Sequence, residues 1–260
     1  MRLGTKVSSF YLGRLSMKGK KIIIYDFDGT LTPYPVPRFE ILERCGIKGE
    51  GINKFYEQVK NKAITKNIDL YQALYETYFE TIKNAGFKLV DNNLCLGYNN
   101  VTYNKGVREF LSSLQENGIK NYLLSSGLKV FLDKVEVSDF FSKIYATTFN
   151  YNEDNEVSSI KYLMSDKNKV EAIKDIISEN NYDKDDCSDI IYIGDGLTDI
   201  FAMEYVKKNN GVTIFVYYDE NSKEIQLIQK KDVVTFYAPA DFSVTNILNR
   251  YVKKLCNIAK

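Results

Sequence analysis

The chain has 260 residues, 44% of them hydrophobic, and a formal charge of +1 with acids and bases interspersed. That is enough apolar material for a hydrophobic core, and it lacks the basic excess by which nucleic-acid binders neutralise phosphates. There is no histidine, which excludes every mechanism that needs an imidazole base or an imidazole metal ligand.

Residues 1–21 carry six basic residues, Arg2, Lys6, Arg14, Lys18, Lys20 and Lys21, and no acid. They read as an extension over 1–20, without the apolar stretch of a secretory signal or a membrane span. From Lys21 onward, short apolar runs rich in β-branched and aromatic residues predict buried strands at Lys21 to Tyr25, Lys120 to Leu124, Ile190 to Ile193, Val212 to Tyr217 and Val233 to Tyr237. Helical spacing between them predicts helices at Gly106 to Asn117, Asn168 to Ile177 and Asp199 to Lys208. This alternation is that of an α/β protein with a doubly wound, Rossmann-like parallel sheet.

After the first strand the alternation stops. Residues 35–103 read as an all-helical insertion, with helices at Arg38 to Cys45, Ile52 to Ile64 and Leu70 to Asn84, entered through Pro33, Pro35 and Pro37. The expected organisation is an α/β core over 21–34 and 104–260 with a helical cap over 35–103. Pro239 is expected to mark the far end of the core. Cys45, Cys95, Cys187 and Cys256 lie far apart without C-x-x-C spacing, so neither a zinc site nor a compact disulfide framework is expected. A reducing, cytoplasmic compartment fits, with a small molecule as partner, no nucleic acid and no membrane, as a monomer or homodimer.

Two aspartate pairs carry the chemistry: Asp26 and Asp28 in YDFDGTLT, and Asp195 and Asp199 in YIGDGLTD, each directly after a strand-like run. Ligands of open α/β sheets bind beyond the carboxyl ends of the strands, and alternate strand residues point the same way, so Asp26 and Asp28 converge there. A carboxylate facing a phosphate dianion meets repulsion on the order of 4 kcal/mol per charge pair at ~4 Å and an effective dielectric of ~20. A hard cation such as Mg²⁺, which takes oxygen ligands and bridges carboxylates to phosphate, would offset it. A calcium loop does not fit, because glycine falls at the fourth position and Pro37 stands where the terminal glutamate belongs. GDGLTD lacks the third glycine of a dinucleotide fingerprint.

With these motifs the chain resembles the haloacid dehalogenase-like hydrolase superfamily, in its phosphatase branch with a phosphoserine phosphatase-like helical cap. D-x-D-G-T-L-T over Asp26 to Thr32 looks like its first motif, Ser125 with Ser126-Gly127 like its second, and G-D-G-x-T-D over Gly194 to Asp199 like its fourth. The third-motif lysine is Lys169, by its spacing to Ala172 and Ile173, with Lys167 as the rival.

The resemblance implies Asp26 as a nucleophile forming an aspartyl phosphate and Asp28 as general acid and then base. It implies Asp26, Asp195 and the Asp28 backbone carbonyl as Mg²⁺ ligands, with Asp199 completing the metal site by orienting the metal's water or the lysine. Ser125 would hydrogen-bond the phosphoryl group, with the amides of Ser126 and Gly127 aimed the same way. The implied activity is hydrolysis of a small phosphomonoester; the alternatives are phosphoryl transfer within the same superfamily and a non-catalytic binding module. The cap departs from the family pattern: Pro35 stands where phosphoserine phosphatases carry a glutamate for the substrate's amino group, and Tyr75 where they carry an arginine for its carboxylate. Phosphoserine is therefore not the expected substrate. Phe55, Tyr56, Tyr71, Tyr75, Tyr78 and Phe79 either line a pocket for the leaving group or form plain cap core.

Overall fold

The computed structural model describes residues 21–36 and 40–258. The expected extension over 1–20, Pro37 and the start of the first cap helix at Arg38 lie outside the described residues. In chain order the elements are β1 (Ile22–Tyr25), α1 (Ile41–Arg44), α2 (Glu50–Lys66), α3 (Leu70–Asn84), α4 (Asp91–Leu94), α5 (Val107–Glu116), β2 (Lys120–Leu128) and α6 (Lys129–Leu132). There follow β3 (Lys143–Tyr151), β4 (Val157–Tyr162), α7 (Asn168–Glu179), β5 (Ile190–Gly194), α8 (Ile200–Lys208), β6 (Val212–Tyr217), α9 (Lys223–Gln229), β7 (Phe236–Pro239) and α10 (Ile247–Leu255).

The strands form one sheet in the order β4-β3-β2-β1-β5-β6-β7, parallel throughout except for the antiparallel β3–β4 pair. β1 is central because all four of its residues are apolar and buried, which only a strand covered on both faces can satisfy. It pairs with β2 on one side and β5 on the other, Ile22 lying level with both Lys120 and Ile190. Chain order reverses across β1, so the carboxyl ends of β1, β2 and β5 frame the crevice where such sheets bind ligands.

Alternation along the strands divides the core. Ile23, Tyr25, Leu123 and Ile193 face α5, α10 and the cap helices, while Ile22, Ile24, Leu124 and Tyr192 face α7, α8 and α9. In the cap, α3 starts at Asp69, whose carboxylate accepts the amides of Tyr71 and Gln72, and packs along α2. Phe55 and Tyr78 are buried in the cap, as plain core.

Several boundaries differ from the sequence expectation. β2 continues past Ser125 to Leu128 through a register shift against β3. The last strand covers Phe236–Pro239, not Val233 to Tyr237: Val233 and Val234 are buried against the opposite layer, and pairing with β6 begins at Phe236. Pro239 ends β7 but not the core, because Phe242 and three residues of α10, Leu248, Val252 and Leu255, are buried beyond it. The β3–β4 hairpin interrupts the expected simple alternation. It braces the cap, the Val157 amide donating to the Leu89 carbonyl (2.8 Å) and the Phe149 ring meeting Tyr75 and Phe79 at 5.6 and 5.2 Å.

Candidate active site

Asp26 leaves β1 with its amide bonded to the Ile193 carbonyl of β5 (2.9 Å), so its side chain starts from the framed crevice. The next residues wrap around one acceptor: the amides of Thr30, Leu31 and Thr32 all point at the Phe27 carbonyl, at 3.2, 2.9 and 3.2 Å. Gly29 makes that turn with φ of +85°, and a Cβ there would stand 2.1 Å from Asp195 Oδ2. Glycine is thus required twice, for the left-handed backbone and for the close approach of the β5 loop. The Thr30 hydroxyl donates to Asp195 Oδ1 (3.1 Å), tying the two aspartate loops together.

Lys169 projects from α7 and is 1% exposed. Its ammonium bridges Asp26 Oδ1 at 2.8 Å and Asp199 Oδ1 at 2.7 Å. Burial alone would lower its pKa, but the Asp199 and Asp26 carboxylates outweigh burial and hold it well above the ordinary value. The rival Lys167 is exposed at the start of α7 and meets neither carboxylate. Both oxygens of Asp199 are engaged: Oδ1 also accepts the Tyr192 hydroxyl (2.6 Å), and Oδ2 accepts the Gly196 amide (3.2 Å). Its bonds go to the lysine, the tyrosine and its own loop.

Burial pushes the Asp26 carboxyl up, Lys169 opposes this, and Asp199 adds to it. Asp28 is pushed up to about 8, first by burial and then by the Asp26 charge, although the Val36 amide donates to its Oδ1 (2.9 Å). Burial, with Asp26 and Asp199 beside it, also raises Asp195 well above the carboxylate range. One lysine therefore faces four inward carboxyl groups. Asp26, Asp195 and Asp199 offer oxygens within 4.8 Å of one another, with no nitrogen or sulfur donor in the set. Such a hard, oxygen-only, charge-deficient set fits Mg²⁺ better than zinc.

Ser125 is buried at the end of this crevice, 1% exposed. Of the two amides expected to face the phosphoryl group, that of Gly127 donates to Ser125 Oγ (3.0 Å). The Ser126 carbonyl accepts the Tyr75 hydroxyl from the cap and the Thr147 hydroxyl (3.1 Å). Sequence reasoning missed Thr30 and Tyr192 as partners of the acidic residues. It also missed Tyr218, whose hydroxyl meets the Gly29 and Thr32 carbonyls (both 3.0 Å), and Asn104, whose amide donates to the Thr30 carbonyl (2.7 Å). Tyr218 stands just past the end of β6, and only the fold brings it to a turn 189 residues away.

A three-layer α/β fold with an inserted helical segment carries a lysine-bridged carboxylate cluster at its topological switch point. A family model described as haloacid dehalogenase-like hydrolase matches residues 23–204. The chain belongs to that family. No curated protein matches it. A phosphoserine phosphatase solved as a substrate-bound complex is 18% identical, with a TM-score of 0.63 over 92% of this chain and 99% of that one. A hydrolase of the same family from Salmonella enterica serovar Typhi is 18% identical, with a TM-score of 0.62 over 85% and 68%. A predicted phosphatase from Clostridium acetobutylicum is 18% identical, with a TM-score of 0.56 over 92% and 99%. At these identities the likeness is one of fold.

Proposed function

We propose that the chain is a Mg²⁺-dependent phosphatase that hydrolyses a small phosphomonoester through an aspartyl phosphate on Asp26. The observation that carries this reading is the buried ammonium of Lys169 bound to both Asp26 and Asp199. It fixes the Asp26 carboxylate and supplies positive charge where a phosphate dianion would approach.

An Asp26 oxygen attacks phosphorus as the bond to the leaving oxygen breaks, and Asp28 gives that oxygen its proton. Burial and the Asp26 charge push the Asp28 carboxyl up to about 8, which favours the protonated form that a general acid needs. Asp28 then takes a proton from water, whose oxygen attacks the phosphoryl group, releasing inorganic phosphate and free Asp26. Ser125 donates its hydroxyl to a phosphoryl oxygen, and Asp199 with Tyr192 keeps Lys169 in place. Mg²⁺, held by Asp26, Asp195 and the Asp28 backbone carbonyl, would neutralise charge between carboxylate and phosphate. Asp199 Oδ1 is taken by Lys169 and Tyr192, which supports its role in orienting the lysine, while Oδ2 accepts only the Gly196 amide and keeps a lone pair for the metal or its water.

The partner is a small phosphorylated metabolite, and the protein acts as a monomer or homodimer. The four cysteines are all free thiols, and no helix among the described residues is long and apolar enough to cross a membrane, which supports a cytoplasmic setting. The test is Asp26→Asn, assayed on p-nitrophenyl phosphate with Mg²⁺, with Zn²⁺ and after chelation. Turnover should vanish in the folded variant, and wild-type turnover should vanish on chelation and return with Mg²⁺. Near-normal turnover by the variant would refute the mechanism.

A further inference from the structure

We propose that Tyr71, Tyr75 and Asp166 form the subsite for the leaving alcohol, and that it accepts an alcohol able to donate a hydrogen bond, through ammonium or hydroxyl, while excluding one that carries a carboxylate. The inference rests on the phosphatase reading above.

Tyr71 and Tyr75 are one helical turn apart on α3 and share a face. That face closes on the two loops bordering the acidic centre. The Tyr75 hydroxyl donates to the Ser126 carbonyl, next to Ser125, and the Tyr71 hydroxyl donates to Asp166 Oδ1 (2.8 Å), three residues before Lys169. Val36, whose amide donates to Asp28 Oδ1 (2.9 Å), also lies against Gly127, the neighbour of the Ser126 that Tyr75 meets, so Asp28 and the Tyr75 contact border the same space. A group leaving toward Asp28 therefore emerges beneath α3.

Asp166 is half-buried, and among the described residues no hydrogen bond reaches its Oδ2. The cation acting on it is Lys169, which is already bound to Asp26 and Asp199, while Asp199 and Asp69 add further negative charge. The subsite thus offers acceptors, and the cation that acts on Asp166 is already engaged, while the neighbouring Lys167 is exposed to solvent. An ammonium or hydroxyl finds an open carboxylate oxygen, whereas a carboxylate meets like charge in a partly desolvated place. The aromatic faces supply the walls, Tyr75 packing on Phe149.

The experiment compares kcat/KM of the full chain with Mg²⁺ for O-phosphoethanolamine, glycerol 2-phosphate, O-phospho-L-serine and 3-phosphoglycerate, with p-nitrophenyl phosphate as reference. For an ester turned over too slowly, its inhibition constant against the reference replaces kcat/KM. The first two esters should exceed the last two by ~10-fold or more, and their ratio to each other separates ammonium from hydroxyl recognition. Asp166→Asn should narrow the preference and Asp166→Lys should reverse it; the wild-type ratio decides alone if neither variant folds. Equal or better use of the carboxylate-bearing esters, or failure of all four to react or inhibit while the reference is hydrolysed, overturns the subsite and leaves the phosphatase reading standing. Failure to hydrolyse the reference as well overturns both.

Discussion

Lys169→Met keeps most of the buried stem and removes only the charge that Asp26 and Asp199 share. In the wild type both contacts are short, 2.8 and 2.7 Å, and the side chains of Lys169, Asp26 and Asp199 are 1%, 8% and 0% exposed. Water can therefore do little to replace the ammonium. Breaking a buried pair from one side costs ~3–5 kcal/mol, because the partner charge stays behind without compensation. At ~2–4 °C per kcal/mol for a chain of this size, the melting temperature should fall by ~6–20 °C.

The loss should depend on pH with a definite sign. The stranded carboxylates can relieve the penalty only by taking up protons, so the variant binds more protons than its unfolded state and loses stability as pH rises. Urea unfolding of metal-free protein, followed by circular dichroism at about pH 5.5 and about pH 8, should show the larger deficit at the higher pH. A deficit below ~1 kcal/mol at the higher pH, or one indifferent to pH, would refute the claim that this lysine holds the centre together.

Gly29→Ala should both strain the turn, by ~1–2 kcal/mol for a left-handed residue, and push Asp195 aside, since the new Cβ would stand 2.1 Å from its Oδ2. Mg²⁺ affinity measured by titration calorimetry should weaken by ~10-fold or more, and an unchanged affinity and melting temperature would contradict that packing. For the wild type without metal, Asp28 near 8 and the upward-shifted Asp26 retain protons that the unfolded chain gives up near the ordinary carboxylate value. Stability should accordingly fall as pH rises from about 4 to about 8, and Mg²⁺ should flatten the fall. Melting temperatures that stay level or climb across that range without metal would oppose it.

The features legible in the sequence are those whose signal is local. Asp26 and Asp195 stand at the ends of strands that bury every residue, followed by glycine turns, so an apolar run and a turn were enough to place them. The preference for Lys169 over Lys167 came from the resemblance, by its spacing to Ala172 and Ile173, and the helix puts Lys169 on the buried face with Ala172, Ile173 and Ile176. α3 has the boundaries expected of it, since an Asp69 cap opens it and a regular apolar period runs through it.

Signals that depend on distant partners were not legible. β4 exposes most of its residues and has no apolar run; it is a strand only because β3 lies beside it. Val233 and Val234 carry strand-like composition but are buried from a loop. The hydroxyls of Tyr71 and Tyr75 reach loops across the cap junction that the helical period alone could not identify. α10, by contrast, carried a local signal that the sequence reading passed over: Leu248, Val252 and Leu255 repeat at helical spacing behind an Asn246 cap.

The two ends of the sheet bear on how copies of the chain can meet. At one end β4 is polar, runs against its neighbour and shifts register twice, so its outward backbone presents no even row of donors and acceptors. At the other, β7 is four residues long and finishes at Pro239, which has no amide hydrogen to offer. Neither rim is a template on which a second sheet could continue. If two chains associate, helix faces or the cap must supply the contact, and the fourteen-stranded arrangement that edge pairing would give is disfavoured from both sides.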